Sequence, residues 1–286
     1  MPPTFEWATH SHMSLPEFRE AFGALETAQS RFFPVNDRIE GPDYIWPLTP
    51  LHEWSRRVEY PFVARELNCR PGARVLDAGS GVTFFPVYLL ERCNTRVECL
   101  DNEPSYADRM SQACRLLGIE PPVPFHVADL AGRLPFPDKS FDAVVCISVL
   151  EHLSAEARLK TVGELWRIVA DGGQFIMTVD VSLDNDETAG IPVSRVREFA
   201  ASLEAALGVK LPRPAMPPPR DLLTSRKPGY GLFPIRVGNM VVRGGLRSWY
   251  YRLPRGWYYR LRGWQQHRTR GLACLLFSAT KNGAAG

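Results

Sequence analysis

The sequence predicts an α/β protein: a doubly wound, mostly parallel sheet with a helical N-terminal lead-in. Three observations carry that prediction. From residue 73 onward, short apolar runs alternate with helical runs at the spacing of strand–helix–strand units. Those apolar runs are nearly unbroken, as they are in strands covered on both faces. A turn with two glycines, "DAGSG" at 77–81, follows the first run, at the place where open parallel sheets bind ligands.

Each element has its own signal. "SLPEFREAFGALETAQ" (14–29) starts a helix, with Ser14 as cap and Pro16 in the first turn. "PLHEWSRRVEYPFVARELN" (50–68) is a second helix, broken or kinked at Pro61, which lacks an amide to donate. "ARVLDAG" (73–79), "RVECLD" (96–101), "VPFHVAD" (123–129), "FDAVVCISVL" (141–150) and "GGQFIMTVDV" (172–181) are the core strands. The helices between them are "PVYLLERC" (86–93), "SYADRMSQACRLLG" (105–118), closed by Gly118, and "SAEARLKTVGELWRIV" (154–169), capped by Ser154. Beyond residue 182 the signals thin. "SRVREFAASLEAAL" (194–207) reads as a helix, "PRPAMPPPR" (212–220) as an irregular connector, "LFPIRVGNMVVR" (232–243) as a strand and "LACLLFSATK" (272–281) as the last strand. The chain thus divides into a helical cap over 1–70, a ligand-binding core over 71–182, and a C-terminal part of the same fold over 183–286. That last part holds the proline-rich connector, a basic aromatic insertion at about 244–270 and the final strand.

Composition agrees with a globular protein of one large domain with additions: 286 residues, 45% hydrophobic and 23% charged. No apolar run approaches the roughly 20 residues that span a bilayer. The start, "MPPTFEWATH", lacks the basic and apolar regions of a secretion signal. Cys69, Cys93, Cys99, Cys114, Cys146 and Cys274 are scattered, with no CxxC pair, and read as reduced thiols of a cytoplasmic protein. The net charge of +3 hides an asymmetry. Residues 220–270 carry twelve Lys or Arg against one acid, Asp221, whereas the rest carries 22 basic and 30 acidic residues.

The glycine turn is not a phosphate loop of the Gly-Lys-Ser/Thr kind, and a third dinucleotide glycine is replaced by Phe84. Three strand-end carboxylates say more. Asp101, about twenty residues past the turn, suits ribose hydroxyls. Asp77 sits just before the glycines, where an anion disfavours a pyrophosphate and favours an ammonium or a sulfonium. Asp129 suits an adenine amino group. Together they describe a pocket for adenosine joined to a positive charge, against the plain alternative that each Asp caps its own strand.

At this point "VLDAGSG", "ECLDNEP", "FHVADLAGRLPFPDKSFDAVVCISVLEHL" and "GELWRIVADGGQFIMTVD" resemble, in order, the motifs of class I S-adenosylmethionine-dependent methyltransferases of the small-molecule type. The resemblance covers about 70–182 and extends to 272–281 as a last strand. It implies a Rossmann-like sheet of seven strands and S-adenosylmethionine as cofactor. It places Asp77, Gly79, Ser80 and Gly81 around the methionine part, Asp101 and Asn102 at the ribose, Asp129 and Leu130 at the adenine, and Ser148 near the methyl group. Two departures are Thr83, where the family has its third glycine, and Asp171, where it has a proline.

For the chemistry, the expected catalytic residues are His152, which titrates near neutrality, and Glu151 beside it; the competing reading makes them helix-start residues. Asp180 is a second polar candidate. Some relatives hold a metal through "ExxEH"; here Ser148 stands at the first position, so no metal is expected. His10, His12, His52, Trp54, Arg57 and Tyr60 of the lead-in face either the cofactor or solvent. "WYYRLPRGWYYRLRGW" (249–264) has competing readings: a pocket wall for an anionic or aromatic substrate, a membrane-surface segment, an RNA grip, or aromatic packing with solvated arginines. DNA is not expected, because "ISVLEHL" lacks the Asp/Asn-Pro-Pro-aromatic motif of base methylation. The expected function is methyl transfer to O or N of a small molecule, a specialised metabolite or glycolipid precursor. The alternatives are an RNA methyltransferase and a non-catalytic cofactor-binding partner subunit.

Overall fold

The computed structural model describes residues 2–40, 51, 55–68, 70–225, 235–237, 240–242 and 271–282. The core strands are β2 (Arg74–Ala78), β3 (Arg96–Asp101), β4 (Phe125–Val127), β5 (Phe141–Ile147) and β6 (Val169–Ser182). They are joined by β1 (Thr4–Trp7) and β7 (Ile191–Pro192) before and after, and by β8 (Ile235–Val237), β9 (Met240–Val242) and β10 (Leu272–Thr280) toward the end. The helices are α1 (Pro16–Glu40), α2 (Arg56–Glu66), α3 (Phe85–Cys93), α4 (Ser105–Leu117), α5 (Ala155–Ile168) and α6 (Val196–Leu207). No described helix is long and apolar enough to cross a membrane.

β2 pairs in parallel with β3 on one side and β5 on the other, and the chain winds outward to β4 one way and to β6 the other. The order is β1-β10-β6-β5-β2-β3-β4, with β7 paired to the end of β6. The winding reverses between β2 and β5, so the crevice beyond their carboxyl ends is the switch point. Alternation along each strand builds two apolar layers. Val75, Val97, Val145 and Ile176 pack with α1–α4, while Leu76, Leu100, Val144 and Met177 pack with α5 and α6.

Two of the three expected end caps follow the sequence; Ser14 instead ends a 3₁₀ turn, Ser11–Ser14, and α1 begins at Pro16. Ser154 Oγ accepts from the Ala157 amide at 3.2 Å, and Gly118 (φ 73°) closes α4. Three further expectations are corrected. The lead-in is not all helical: β1 pairs antiparallel with β10 and supplies the seventh strand of the continuous path. Within 232–243, expected as one strand, the described residues form two, β8 and β9, paired antiparallel with each other. In "TFEW" only Phe5 and Trp7 are buried, a period of two too short to stand out beside a long helix. Finally, α2 is not broken at Pro61. The missing hydrogen bond and ring clash cost about 3 kcal/mol, but burial of Val58, Phe62 and Val63, at about 1.5–3 kcal/mol each, outweighs that. Cys93, Cys99, Cys114, Cys146 and Cys274 are free thiols, all but Cys93 buried.

Candidate active site

The glycine turn is held in an unusual backbone shape. Gly79 (φ 73°) and Gly81 (φ 53°) take left-handed conformations that L side chains avoid. A Cβ at Gly79 would overlap Val149 Cγ2 and stand 3.0 Å from its Cγ1. The amides of Gly79 and Ser80 donate to the Leu100 carbonyl at 2.7 and 3.2 Å. The Gly81 amide donates to Asp101 Oδ2 at 2.9 Å, and Oδ1 accepts from the Asn102 and Glu103 amides at 2.8 and 3.3 Å. A carboxylate offers about four acceptor sites, so Asp101 retains capacity for a ribose hydroxyl. Two residues before Gly79, Asp77 is buried; burial first, and the Asp101 charge second, push its carboxyl up to about 7. Such a group gains from a nearby proton or cation.

Across the switch point, the chain leaves β5 sharply. Ser148 (φ 49°) ends the strand at Ile147, three residues earlier than the apolar run implies, and turns Leu150–His152 into a short 3₁₀ segment. Buried Ser148 is fastened on three sides. Its amide donates to the Thr178 carbonyl at 3.0 Å, its hydroxyl donates to Glu59 Oε1 at 2.6 Å, and it accepts from Arg56 Nη1. Glu59 Oε1 also accepts from Thr178 Oγ1 at 2.7 Å and Cys274 Sγ at 3.3 Å, and Oε2 pairs with Arg56. Burial would raise the Glu59 carboxyl, but the Arg56 charge and the Ser148 and Thr178 hydroxyls outweigh it and hold it below the usual range.

Glu151 and Asp180 lie beside this network without sharing its hydrogen bonds. Both carboxylate oxygens of Glu151 and Oδ1 of Asp180 are buried with no hydrogen-bond partner among the described residues. Burial, then the Asp180 charge, push Glu151 well above the usual carboxylate range; burial, then Glu59, push Asp180 up to about 7. His152, next in sequence to Glu151, has 71% of its side chain exposed against 1% for Glu151. The expected acid–base pair is therefore split, one member buried and one at the rim.

The remaining expected residues fall into place unevenly. Asp129 is exposed, and its Oδ1 accepts from the Ala131 amide at 2.9 Å, so part of its capacity caps its own turn. The Leu130 side chain is in the core. Tyr60 is buried and packs against Phe84 and Phe85. His12 is engaged with Thr9 and Glu6. His52, Trp54 and the stretch 249–264 lie outside the described residues. Arg56 and Glu59 are the site residues that sequence reasoning passed over. Glu59, Asp180 and Cys274 bring ligand atoms within 4.8 Å of one another. Glu59 already accepts from three neutral donors, Cys274 among them, and Arg56 supplies positive charge, while Asp180 Oδ1 stays without a partner among the described residues. A cavity of about 320 Å³ near Arg70, Asp142 and Gln174 opens at the amino ends of the parallel strands, away from the turn.

Residues 76–177 match the family model described as a methyltransferase domain. Cycloartenol-C-24-methyltransferase of Arabidopsis thaliana is 32% identical over 130 residues, 46% of this chain and 38% of that protein. Demethylmenaquinone methyltransferase of Deinococcus radiodurans is 32% identical over 156 residues, 53% of this chain and 59% of that protein. The matched stretch thus spans about two fifths to three fifths of these relatives. The crystal structure of the cyclase SpnF superposes with a TM-score of 0.54 over 91% of this chain and 97% of that chain, at 17% identity, a likeness of fold alone. Sheet order, glycine turn and family match together place the core of this chain among the class I S-adenosylmethionine-dependent methyltransferases.

Proposed function

We propose that the protein transfers the methyl group of S-adenosylmethionine to an oxygen or nitrogen of a small-molecule acceptor, a specialised metabolite or glycolipid precursor. The observation that carries this reading is Asp77, a buried carboxyl pushed up to about 7 just before a turn built from left-handed glycines. A phosphate there would meet like charge, whereas a cationic donor relieves it. The relatives' acceptors, a sterol and a demethylmenaquinone by name, are small molecules and support the acceptor class.

In this reading Asp77, Gly79, Ser80 and Gly81 hold the methionine part. Asp101 and Asn102 hold the ribose, Asp129 and the Leu130 backbone the adenine, and Ser148 lies near the sulfur. S-adenosylmethionine supplies an activated methyl: the acceptor's lone pair forms the new bond to carbon as the carbon–sulfur pair stays on sulfur. The chain's own task is orientation and exclusion of water, worth up to roughly 7–11 kcal/mol in well-placed cases. Glu151 faces inward beside Asp180, and His152 stands at the rim, where a proton released by the acceptor reaches water. The fold also serves a protein named as a cyclase, so fold alone does not decide the chemistry.

Titration calorimetry with S-adenosylmethionine, S-adenosylhomocysteine and NAD tests the donor. Heat with the first two and none with NAD is expected, and uptake of NAD without either adenosyl compound overturns the reading. Transfer of labelled methyl to a small-molecule extract, with bulk tRNA as the parallel acceptor, separates the small-molecule reading from an RNA one. Donor binding with no transfer to either would mark a partner subunit.

A further inference from the structure

We infer that Asp180 and Glu151 form a binding site for a cationic nitrogen, so that the acceptor is an amine that arrives as its ammonium ion. The inference rests on the methyl-transfer reading and names its acceptor class.

The geometry comes first. Thr178 pairs with Ile147 at the end of β5, so Asp180 lies two residues beyond the paired part of that strand, on the side of the sheet where the glycine turn lies. Glu151 stands on the turn that follows Ser148, next to it. Glu59, Glu151 and Asp180 therefore all lie in the field of the Arg56 guanidinium. Glu59 and Arg56 satisfy each other, with Ser148, Thr178 and Cys274 completing the Glu59 shell. Glu151 keeps both oxygens buried and unpartnered among the described residues, and Asp180 keeps one. The His152 ring stands 4.0 Å from Glu151 Oε1, beyond hydrogen-bond range. Arg158, which senses the Glu151 charge, donates to the Leu150 and Leu153 carbonyls at 2.9 Å.

Leaving three buried acceptors unmade costs free energy, and such groups in a native fold call for a bound partner or a catalytic role. An ammonium ion supplies up to three N–H donors and the missing positive charge. A hydroxyl supplies one donor and no charge, so it leaves acceptors unsatisfied. A dication fits less well, because Arg56 sits against the same cluster and the Glu59 oxygens are taken. The carboxylates also answer an electrostatic problem, since an ammonium ion and a sulfonium donor repel each other in a site of low dielectric.

The proton follows a balanced path. The ammonium nitrogen gives one proton to the ionised Asp180 carboxylate, and the N–H bond pair becomes the lone pair that accepts the methyl group. The methylated nitrogen regains a positive charge, which Glu151 offsets, and Asp180 releases its proton to water.

Calorimetry on the full chain saturated with S-adenosylhomocysteine tests this, using alkylammonium ions of two to eight carbons against alcohols of equal length. The ammonium ions should bind at least about tenfold more tightly than the alcohols. Asp180→Asn and Glu151→Gln should each abolish that preference and leave S-adenosylhomocysteine affinity unchanged. In the unmutated chain, ammonium affinity should rise with pH through about 7, as Asp180 loses its proton while an alkylammonium, with a Lys-like pKa of about 10, stays charged. The groups facing that nitrogen are Arg56 and Glu59 from α2, Asp180 from β6, Cys274 from β10, Glu151 and His152 from the turn, and Arg158 from α5. Equal affinity for alcohols, a preference that survives both variants, or zinc or magnesium binding that depends on Asp180 where ammonium ions do nothing would each overturn the inference. Failure of S-adenosylhomocysteine to bind at all would instead strike the donor reading, so the two failures are distinguishable.

Discussion

The amide of Gly81 donates to Oδ2 of Asp101 at 2.9 Å, joining the glycine turn to the tip of the neighbouring strand. One carboxylate thereby holds two things: the turn that shapes the methionine site and, with its spare acceptor capacity, the ribose. Asp101→Ala removes both. Charge-assisted hydrogen bonds contribute about 1.5–3 kcal/mol each, so adenosylmethionine affinity should fall about 10- to 100-fold. Asp101→Asn keeps an oxygen that can accept from Gly81 and should lose less. Calorimetry on the two variants checks the order, and equal losses would mean that charge alone matters.

Gly79 is constrained twice, by its left-handed backbone and by Val149. Gly79→Ala should lower stability by about 1–3 kcal/mol and weaken donor binding at least tenfold, because the turn must move. Gly79→Ala combined with Val149→Ala removes the overlap but not the backbone strain. It should recover part of the stability in urea denaturation. Full recovery would show that φ at this position costs nothing.

Much of this site was legible because its signals are local. Two glycines after an apolar run, and an Asp at the end of each of three successive strands, are readable within a few residues of one another. Ser154 and Gly118 announced their helix ends for the same reason. The Glu59–Ser148 contact was not legible. It joins residues 89 apart in sequence, and α2 reads equally as a cap over the cofactor or as a surface helix until the fold brings Glu59 to the end of β5. β1 was missed because four residues with two buried side chains carry too little pattern beside the 25 residues of α1. Glu151 was named beside His152 from their shared position, but sequence adjacency could not show that one points into the protein and the other into water.

Breaking the Glu59 network should be costly. Its carboxylate is fully buried and pairs with Arg56, so Glu59→Ala leaves a half-buried guanidinium without its ion-pair partner. Losses of about 3–5 kcal/mol are usual for such a cut. The pH dependence has a definite sign. The folded carboxyl is held below its unfolded value, so its contribution is fully present above about pH 4.5 and fades as pH falls through the lower folded value. Glu59→Gln, which cannot ionise, should show a flatter stability curve between about pH 5 and 3 than the unmutated chain. Chemical denaturation across that range decides it, and parallel curves would remove Glu59 from the acid transition.

Asp77 has the opposite sign. Its folded carboxyl is raised to about 7 from the 3.8 of an unperturbed group, so the empty protein binds that proton more tightly than the unfolded chain does. Its contribution to stability therefore declines as pH rises from about 4 to 7 and the buried charge appears. A cationic ligand reverses the penalty by pairing with the ionised form. Donor affinity should then increase with pH, by about eightfold between pH 6 and 7.5, following the ionised fraction of one group. S-adenosylmethionine and S-adenosylhomocysteine share the amino-acid ammonium and differ in the sulfonium. A slope shared by both assigns Asp77 to the ammonium; a slope present only for the methylated compound assigns it to sulfur. Asp77→Asn should bind both weakly and without slope. A pH-independent affinity in the unmutated chain would mean that Asp77 never meets the ligand's charge.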